Sequence, residues 1–317
     1  MRTRVMLLAM LTLVLVIGIS GCQKKGQGQT PIPGGDKNMP FPVTLQDDAG
    51  RQVTINTPPQ RLVSLVPGHT EILFALGLSD RIVGVTSYCD YPAEAKTKPQ
   101  IGGFSDPSLE KIIAAQPDLV VAGDMDSQLV ENLQAMNIKV LVFQPHSIEG
   151  LFSTITAMGE ACGKKEQALS LVAGLRERVE RVKAGVNDVP ISQRPLTYYE
   201  VWYEPLTTTG PHTLIAELIT LAGGKNLAIS GSEDFPMINE ELIVEQNPAI
   251  MVHSYGTGMD NTPQQEQILN RKGWQNIGFI KDRRIIAIDS DLITRAGPRT
   301  VDALELLARG FYPERFK

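Results

Sequence analysis

The groups in this chain best equipped for chemistry are few: four histidines, three cysteines and a scatter of carboxylates. His69, in Pro67-Gly68-His69-Thr70-Glu71, and His212, in Gly210-Pro211-His212-Thr213-Leu214, each stand near the start of a predicted helix. A neutral imidazole at such a place can ligate the metal of a bound complex, or serve as a polar neighbour to a helix cap. His146 and His253 fall at predicted strand ends. No Walker loop, GxGxxG after a strand, GxSxG elbow or HExxH occurs, and no two carboxylates are placed together by spacing alone. An enzyme would need a cleft acid/base pair that the sequence does not supply. There is no CxxC, so a structural zinc site is not indicated, and Cys89 and Cys162 can pair or stay free.

The third cysteine, Cys22, has a different setting. A short basic start, Met1-Arg2-Thr3-Arg4, leads into an aliphatic run from Val5 to Ile19. The run is too short and wrongly flanked for an ordinary spanning helix and reads as an export signal. Ile19-Ser20-Gly21-Cys22 resembles the bacterial lipobox, which makes Cys22 the lipid-bearing N-terminus after cleavage; the alternative is an uncleaved anchor. Gln23 to Asn38 is a Gly/Gln/Lys/Pro tract that cannot bury a core, so residues 23–40 read as a leash. The chain has 317 residues, 42% hydrophobic, and a net charge of −5 without a basic stripe. That excludes nucleic acid as a natural partner and leaves about 280 residues after export, room for two compact lobes.

The elements that must position these groups follow from periodicity. Leu62–Leu65, Ile82–Val85, Leu119–Ala122 and Val140–Phe143 read as buried strands, with helical spacing over Glu71–Leu78, Pro107–Ala115 and Gln128–Met136. Ser105-Asp106-Pro107 is a helix-start signal. A second set has strands at Leu196–Val201, Ala249–His253 and Ile285–Ile288. Its predicted helices are Thr213–Ala222, Asn239–Gln246, Thr262–Asn270 and Arg299–Arg309. Between the sets, Ala168, Leu171, Val172, Leu175, Val179 and Val182 form one stripe within Gly163–Val186. That helix, about 33 Å long, is placed to join two lobes, 41–162 and 187–317; an ordinary surface helix is the alternative.

The sets also repeat each other. "EKIIAAQPDLVV" from Glu110 matches "ELIVEQNPAIMV" from Glu241, and "EILFALG" from Glu71 matches "ELITLAG" from Glu217, in the same order. The expected fold is therefore α/β: two related Rossmann-like lobes with mostly parallel sheets, joined by a single long helix.

"RLVSLVPGHTEILFALGLSDRIVGVTSYCDYP", "GGFSDPSLEKIIAAQPDLVVA" and "SDLITRAGPRTVDALELLA" resemble the iron-complex/vitamin B12 substrate-binding proteins of ABC importers, from about Arg61 to Ala308. "TSYCDYP" and "SDLITRAGPR" are most similar to the cobalamin binders. The resemblance implies a monomeric, extracytoplasmic, lipid-anchored carrier that holds a corrinoid between its lobes and delivers it to a permease dimer and its ATPase, with no cofactor of its own. It also implies that Tyr88, Asp291 and Arg295 face the cleft and that Glu110 and Glu241 dock onto permease arginines. A corrin is broad and apolar with a fringe of amides, so it wants aromatic faces and a few donors and acceptors. Phe104, Trp202, Tyr203, Phe235 and Tyr255, all in predicted loops or at a strand end, can supply walls, with a partly buried packing role as the alternative for each; Trp202-Tyr203, just after a strand end, is the best placed of them. For Arg295 the alternative is a surface salt-bridge partner.

His69 and His212 depart from the cobalamin pattern. Either is a possible axial ligand to cobalt or haem iron, which keeps haem and iron-siderophore complexes open as alternatives. A related class of this fold binds bare zinc or manganese; His69, His146, His212 and Asp291 are the conceivable set here, against which stands the missing His-rich loop.

Overall fold

The computed structural model describes residues 41–124, 127–227, 229, 231–255 and 265–316. Cys22, its leader, the leash to residue 40 and Gly256-Thr257-Gly258 lie outside these, as do positions 262–264 of a predicted helix. The described chain opens with an antiparallel hairpin, β1 (Val43–Gln46) and β2 (Gln52–Ile55), which sequence periodicity does not predict. Asp47 ties the hairpin to the first lobe: its carboxylate accepts N–H bonds from Arg51 (2.9 Å) and Val142 (3.1 Å).

Next come β3 (Leu62–Ser64), α1 (Pro67–Ala75), β4 (Ile82–Val85), α2 (Leu109–Ala114), β5 (Leu119–Ala122), α3 (Ser127–Ala135) and β6 (Lys139–Val142). The four strands β3 to β6 form one parallel sheet in the order β4-β3-β5-β6. α4 (Ile148–Ala161) and the 22-residue α5 (Lys165–Val186) lead on to the second half. There β7 (Leu196–Trp202), β8 (Thr207–Thr208), α6 (Leu214–Leu221), β9 (Lys225–Asn226), α7 (Glu240–Gln246) and β10 (Ile250–His253) succeed one another. The described chain closes with α8 (Gln265–Leu269), α9 (Gly278–Lys281), β11 (Ile285–Ala287), α10 (Ser290–Ile293) and α11 (Thr300–Phe311). The second sheet runs β11-β10-β7-β8, with β8 antiparallel and β9 pairing in parallel beside the start of β7.

Both sheets are covered on two faces, so their central strands are largely apolar: Leu119, Val120, Val121 and Ala122 of β5 are all buried. The pleat divides them between cores. Leu62, Leu119, Val121 and Leu141 face one core, while Val63, Val120, Ala122 and Val140 face another. In the second sheet Tyr199, Ile250 and Val252 share the first core, and Tyr198 and Met251 point to a third, with Trp274 and Phe279. The first core also takes in residues of α1, α4, α5, α6 and α11, so a single apolar body runs through both halves.

Three differences from the predicted elements have local causes. α2 starts at Leu109, not Pro107, because the Ser108 hydroxyl accepts the Lys111 N–H and so caps it. α1 begins four residues before Glu71, with Pro67 in its first turn. α4 went unpredicted because Ser153-Thr154-Ile155-Thr156 favours a strand and its glycines dilute the helical pattern. Its buried Ile148, Leu151, Phe152, Ile155 and Met158 nevertheless keep helical spacing, and the Ser147 hydroxyl accepts the Gly150 N–H. Cys89 and Cys162 are both buried and unpaired.

Candidate ligand-binding cleft

In an all-parallel sheet every strand delivers its carboxyl end to the same edge, and ligands settle there. The segments following β3 (Val66–His69), β4 (Tyr88), β5 (Gly123, Asp124) and β6 (Phe143–His146) form one wall of a cavity of about 780 Å³. The opposite wall comes from the start of α6 (Thr213–Ile215), the loop at Asp234 and Phe235, and Asp291 with Ile293–Ala296. The cavity thus lies between the two sheets' halves of the chain. Tyr88 (59% exposed), Phe104 (44%) and Phe235 (52%) present large open rings to it from both sides. Such rings are the kind of surface that a flat apolar ligand covers.

Beside the cavity, polar groups tie the two halves together. Arg295 pairs with Asp90, and with Asp291 at 2.8 Å. Burial alone would raise the Asp90 carboxyl, but the Arg295 hydrogen bond and charge outweigh it and hold the group below its usual range. Burial pushes Asp291 up, with Arg295 opposing and Asp90 adding repulsion. Arg299 grips Glu71 with two hydrogen bonds (2.9 and 2.5 Å) and stacks 3.8 Å over Tyr91. Burial still holds the Glu71 carboxyl above its ordinary value. Glu217, the partner of Glu71 in the sequence repeat, reaches the other way: its carboxylate accepts the Ile148 N–H at 2.6 Å, capping α4 from the opposite half. The backbones of the two halves also touch, since a Cβ on Gly68 would sit 2.4 Å from the Ala296 carbonyl oxygen.

Of the residues singled out from the sequence, His69, Tyr88, Phe104, Phe235, Asp291 and Arg295 line this cavity; Trp202, Tyr203, Tyr255 and His212 are not among its lining residues. Trp202 ends β7 and donates its indole N–H to the Glu204 carbonyl (2.8 Å). Tyr203 packs on Arg271, 3.9 Å from its ring centre, and Tyr255 leans on His253 at 4.9 Å. His212 is exposed just before the Thr213 cap of α6. It does not occupy the place equivalent to His69: with Glu71 matched to Glu217, that place is held by Ile215. His69 is 2% exposed, its ring 6.1 Å edge-on from Phe143, and its Nδ1 is buried without a partner. Burial lowers its pKa to about 4, so it is neutral near pH 7. Among the described residues no group of three or more His, Cys, Asp and Glu is arranged to hold a bare metal ion. Glu110 and Glu241 are each the second residue of their helices, α2 and α7, behind the caps Ser108 and Asn239, and both are exposed.

Sequence reasoning passed over Asp124, Phe143, Gln144 and Asp234, and gave His146 little weight. Position after a buried parallel strand was the signal for the first three and for His146. Asp234 lies in a loop with no pattern of its own.

Two α/β halves braced around a ligand-sized cleft define a solute-binding protein. The chain belongs to the periplasmic binding protein family, whose profile matches residues 62–292. It is 31% identical over 323 aligned residues, 100% of both chains, to an uncharacterized ABC transporter substrate-binding lipoprotein, YvrC, of Bacillus subtilis. It is 28% identical over 266 residues to a vitamin B12-binding protein of Vibrio campbellii, covering 83% of this chain and 93% of the relative. Among solved structures, the periplasmic heme-binding protein RhuT of Roseiflexus sp. RS-1 superposes with a TM-score of 0.72 at 25% identity, covering 81% of this chain and 99% of that one. The chain is thus a substrate-binding protein of an ABC importer, within the group that handles B12, haem and iron complexes.

Proposed function

We propose that the cleft captures a corrinoid and that the protein delivers it to an ABC permease. The observation that carries the choice of ligand is the charge of the lining. Among the described residues it holds three carboxylates, Asp124, Asp234 and Asp291, and one cationic side chain, Arg295. Arg295 is already engaged by Asp90 and Asp291. Haem carries two propionates, and many ferric siderophore complexes are anionic; both want cations with bonds to spare. A corrinoid offers a broad apolar ring and neutral amides, which suit open aromatic faces and carboxylate acceptors. The B12-binding relatives support the same reading.

The test is a visible-spectrum titration of the purified protein with cobinamide, cobalamin, haemin and a ferric siderophore. Corrinoid binding should be the tightest, and Tyr88→Ala should weaken it by about 1–3 kcal/mol. Tight haemin binding with no response to either corrinoid would reverse the assignment.

Cys22 carries lipid and tethers the carrier outside the cytoplasm, with residues 23–40 as the leash. Glu110 and Glu241 meet permease arginines as two matched anchors, which suits a two-fold permease. Replacing both by alanine should leave corrinoid affinity and melting temperature unchanged and abolish uptake in vesicles containing the transporter. Undiminished uptake would leave the two glutamates as simple helix-dipole partners.

A further inference from the structure

A second cavity, of about 540 Å³, adjoins the cleft on the side of the β1–β2 hairpin. The two share one wall: Asp124 and the strip Phe143–His146 line both. Gln144 lies where the two meet. Its side-chain carbonyl accepts the Asp124 N–H at 2.9 Å, and its own N–H donates to the Asp48 carboxylate at 2.6 Å. Asp48 and Ala49, at the hairpin turn, make the outer wall, and the exposed Ser153 and buried Thr154 of α4 make the far one. The lining therefore offers two carboxylates, hydroxyls, amides and the His146 imidazole, with no lysine or arginine.

We propose that this side cavity is a subsite for an uncharged, hydrogen-bond-donating arm of the ligand held in the cleft: on a corrinoid, its peripheral amides. The inference rests on the corrinoid reading of the cleft. Amide N–H groups find acceptors in Asp48, Asp124 and the hydroxyls. A carboxylate or phosphate arm meets two like charges and no cation to offset them. The subsite thus sets specificity by the charge of the arm, separately from the fit of the ring.

Two probes and two variants decide it. The probes are dicyanocobinamide, with amide arms, and its counterpart hydrolysed to peripheral carboxylates. The wild-type chain should bind the amide form at least tenfold more tightly. Ser153→Trp fills the side cavity from α4 and alters no residue of the cleft lining; it should weaken binding of the amide form tenfold or more, at a melting temperature matching the wild type. Asp48→Asn removes one of the two charges and should narrow the gap between the probes. Wild-type affinity in Ser153→Trp would overturn the subsite and leave the cleft reading standing. Should that variant fail to fold, an unchanged gap in Asp48→Asn overturns it instead. Binding of neither probe to the wild-type chain would overturn the corrinoid reading and the subsite with it.

Discussion

Acid should destabilise this protein through His69, and the size of the effect follows from its burial. The imidazole is 2% exposed with a pKa lowered to about 4, against 6.5 when free in the unfolded chain. Between those values the unfolded state holds the extra proton and the folded state does not. Stability therefore rises with pH across the window and is lost as pH falls from about 6.5 towards 4. For a single site this amounts to about 2 kcal/mol at pH 5 and about 3 kcal/mol at pH 4, and almost nothing at pH 7. Replacing His69 by leucine removes the titration and the orphaned Nδ1 together. At pH 7 the melts of wild type and His69→Leu should differ only by the fixed effect of the substitution, relief of the orphaned Nδ1 included. The gap should shift in the variant's favour as the pH falls, by about 5 °C between pH 7 and pH 4. His253, also lowered to about 4 by burial and by Arg271, keeps some acid sensitivity in both proteins. Parallel wild-type and variant curves from pH 7 to pH 4 would refute the reasoning, because they would mean that His69 takes up its proton in the folded state.

Two further substitutions probe the packing. Gly68→Ala drives a methyl against the Ala296 carbonyl and should cost about 1–3 kcal/mol in urea unfolding, with weaker ligand binding because both residues line the cleft. Glu200→Gln strands Arg271, whose side chain is 5% exposed between the Tyr203 and Trp274 rings, and should cost about 3–5 kcal/mol by the same measurement.

The repeat was the most legible part of the sequence, and the backbone shows why. Gly77 and Gly223, the last residues of the matched "EILFALG" and "ELITLAG", both adopt left-handed φ (70° and 86°) and end α1 and α6. Gln116 and Asn247, each just before the matched proline, are left-handed too, at 47° and 49°. Residues repeated for such geometry leave a mark that one chain can reveal. The cleft was only half legible. Tyr88, Asp291 and Arg295 came from resemblance, and Phe104 and Phe235 from being aromatic in loops. Trp202 and Tyr203, just after a strand end, looked more favourable than either, yet at the end of β7 one bonds its own turn and the other covers Arg271. Sequence gives the end of a strand but not which way the next loop folds. The ion pairs Arg299–Glu71 and Arg271–Glu200, separated by 228 and 71 residues, have no local signature at all.

The crossed glutamates carry a consequence for how such a carrier reports its load. Glu71 holds the far half through Arg299, Glu217 holds the near half through the first turn of α4, and Gly68 rests on Ala296. Spreading the halves means giving up both links and that backbone contact at once. A wide hinge swing would then be a costly signal, and if the cleft holds the ligand as proposed, a loaded carrier would differ from an empty one mainly at the mouth, where Tyr88, Phe104 and Phe235 would be either covered or bare. A partner that distinguishes the two has to read texture rather than angle.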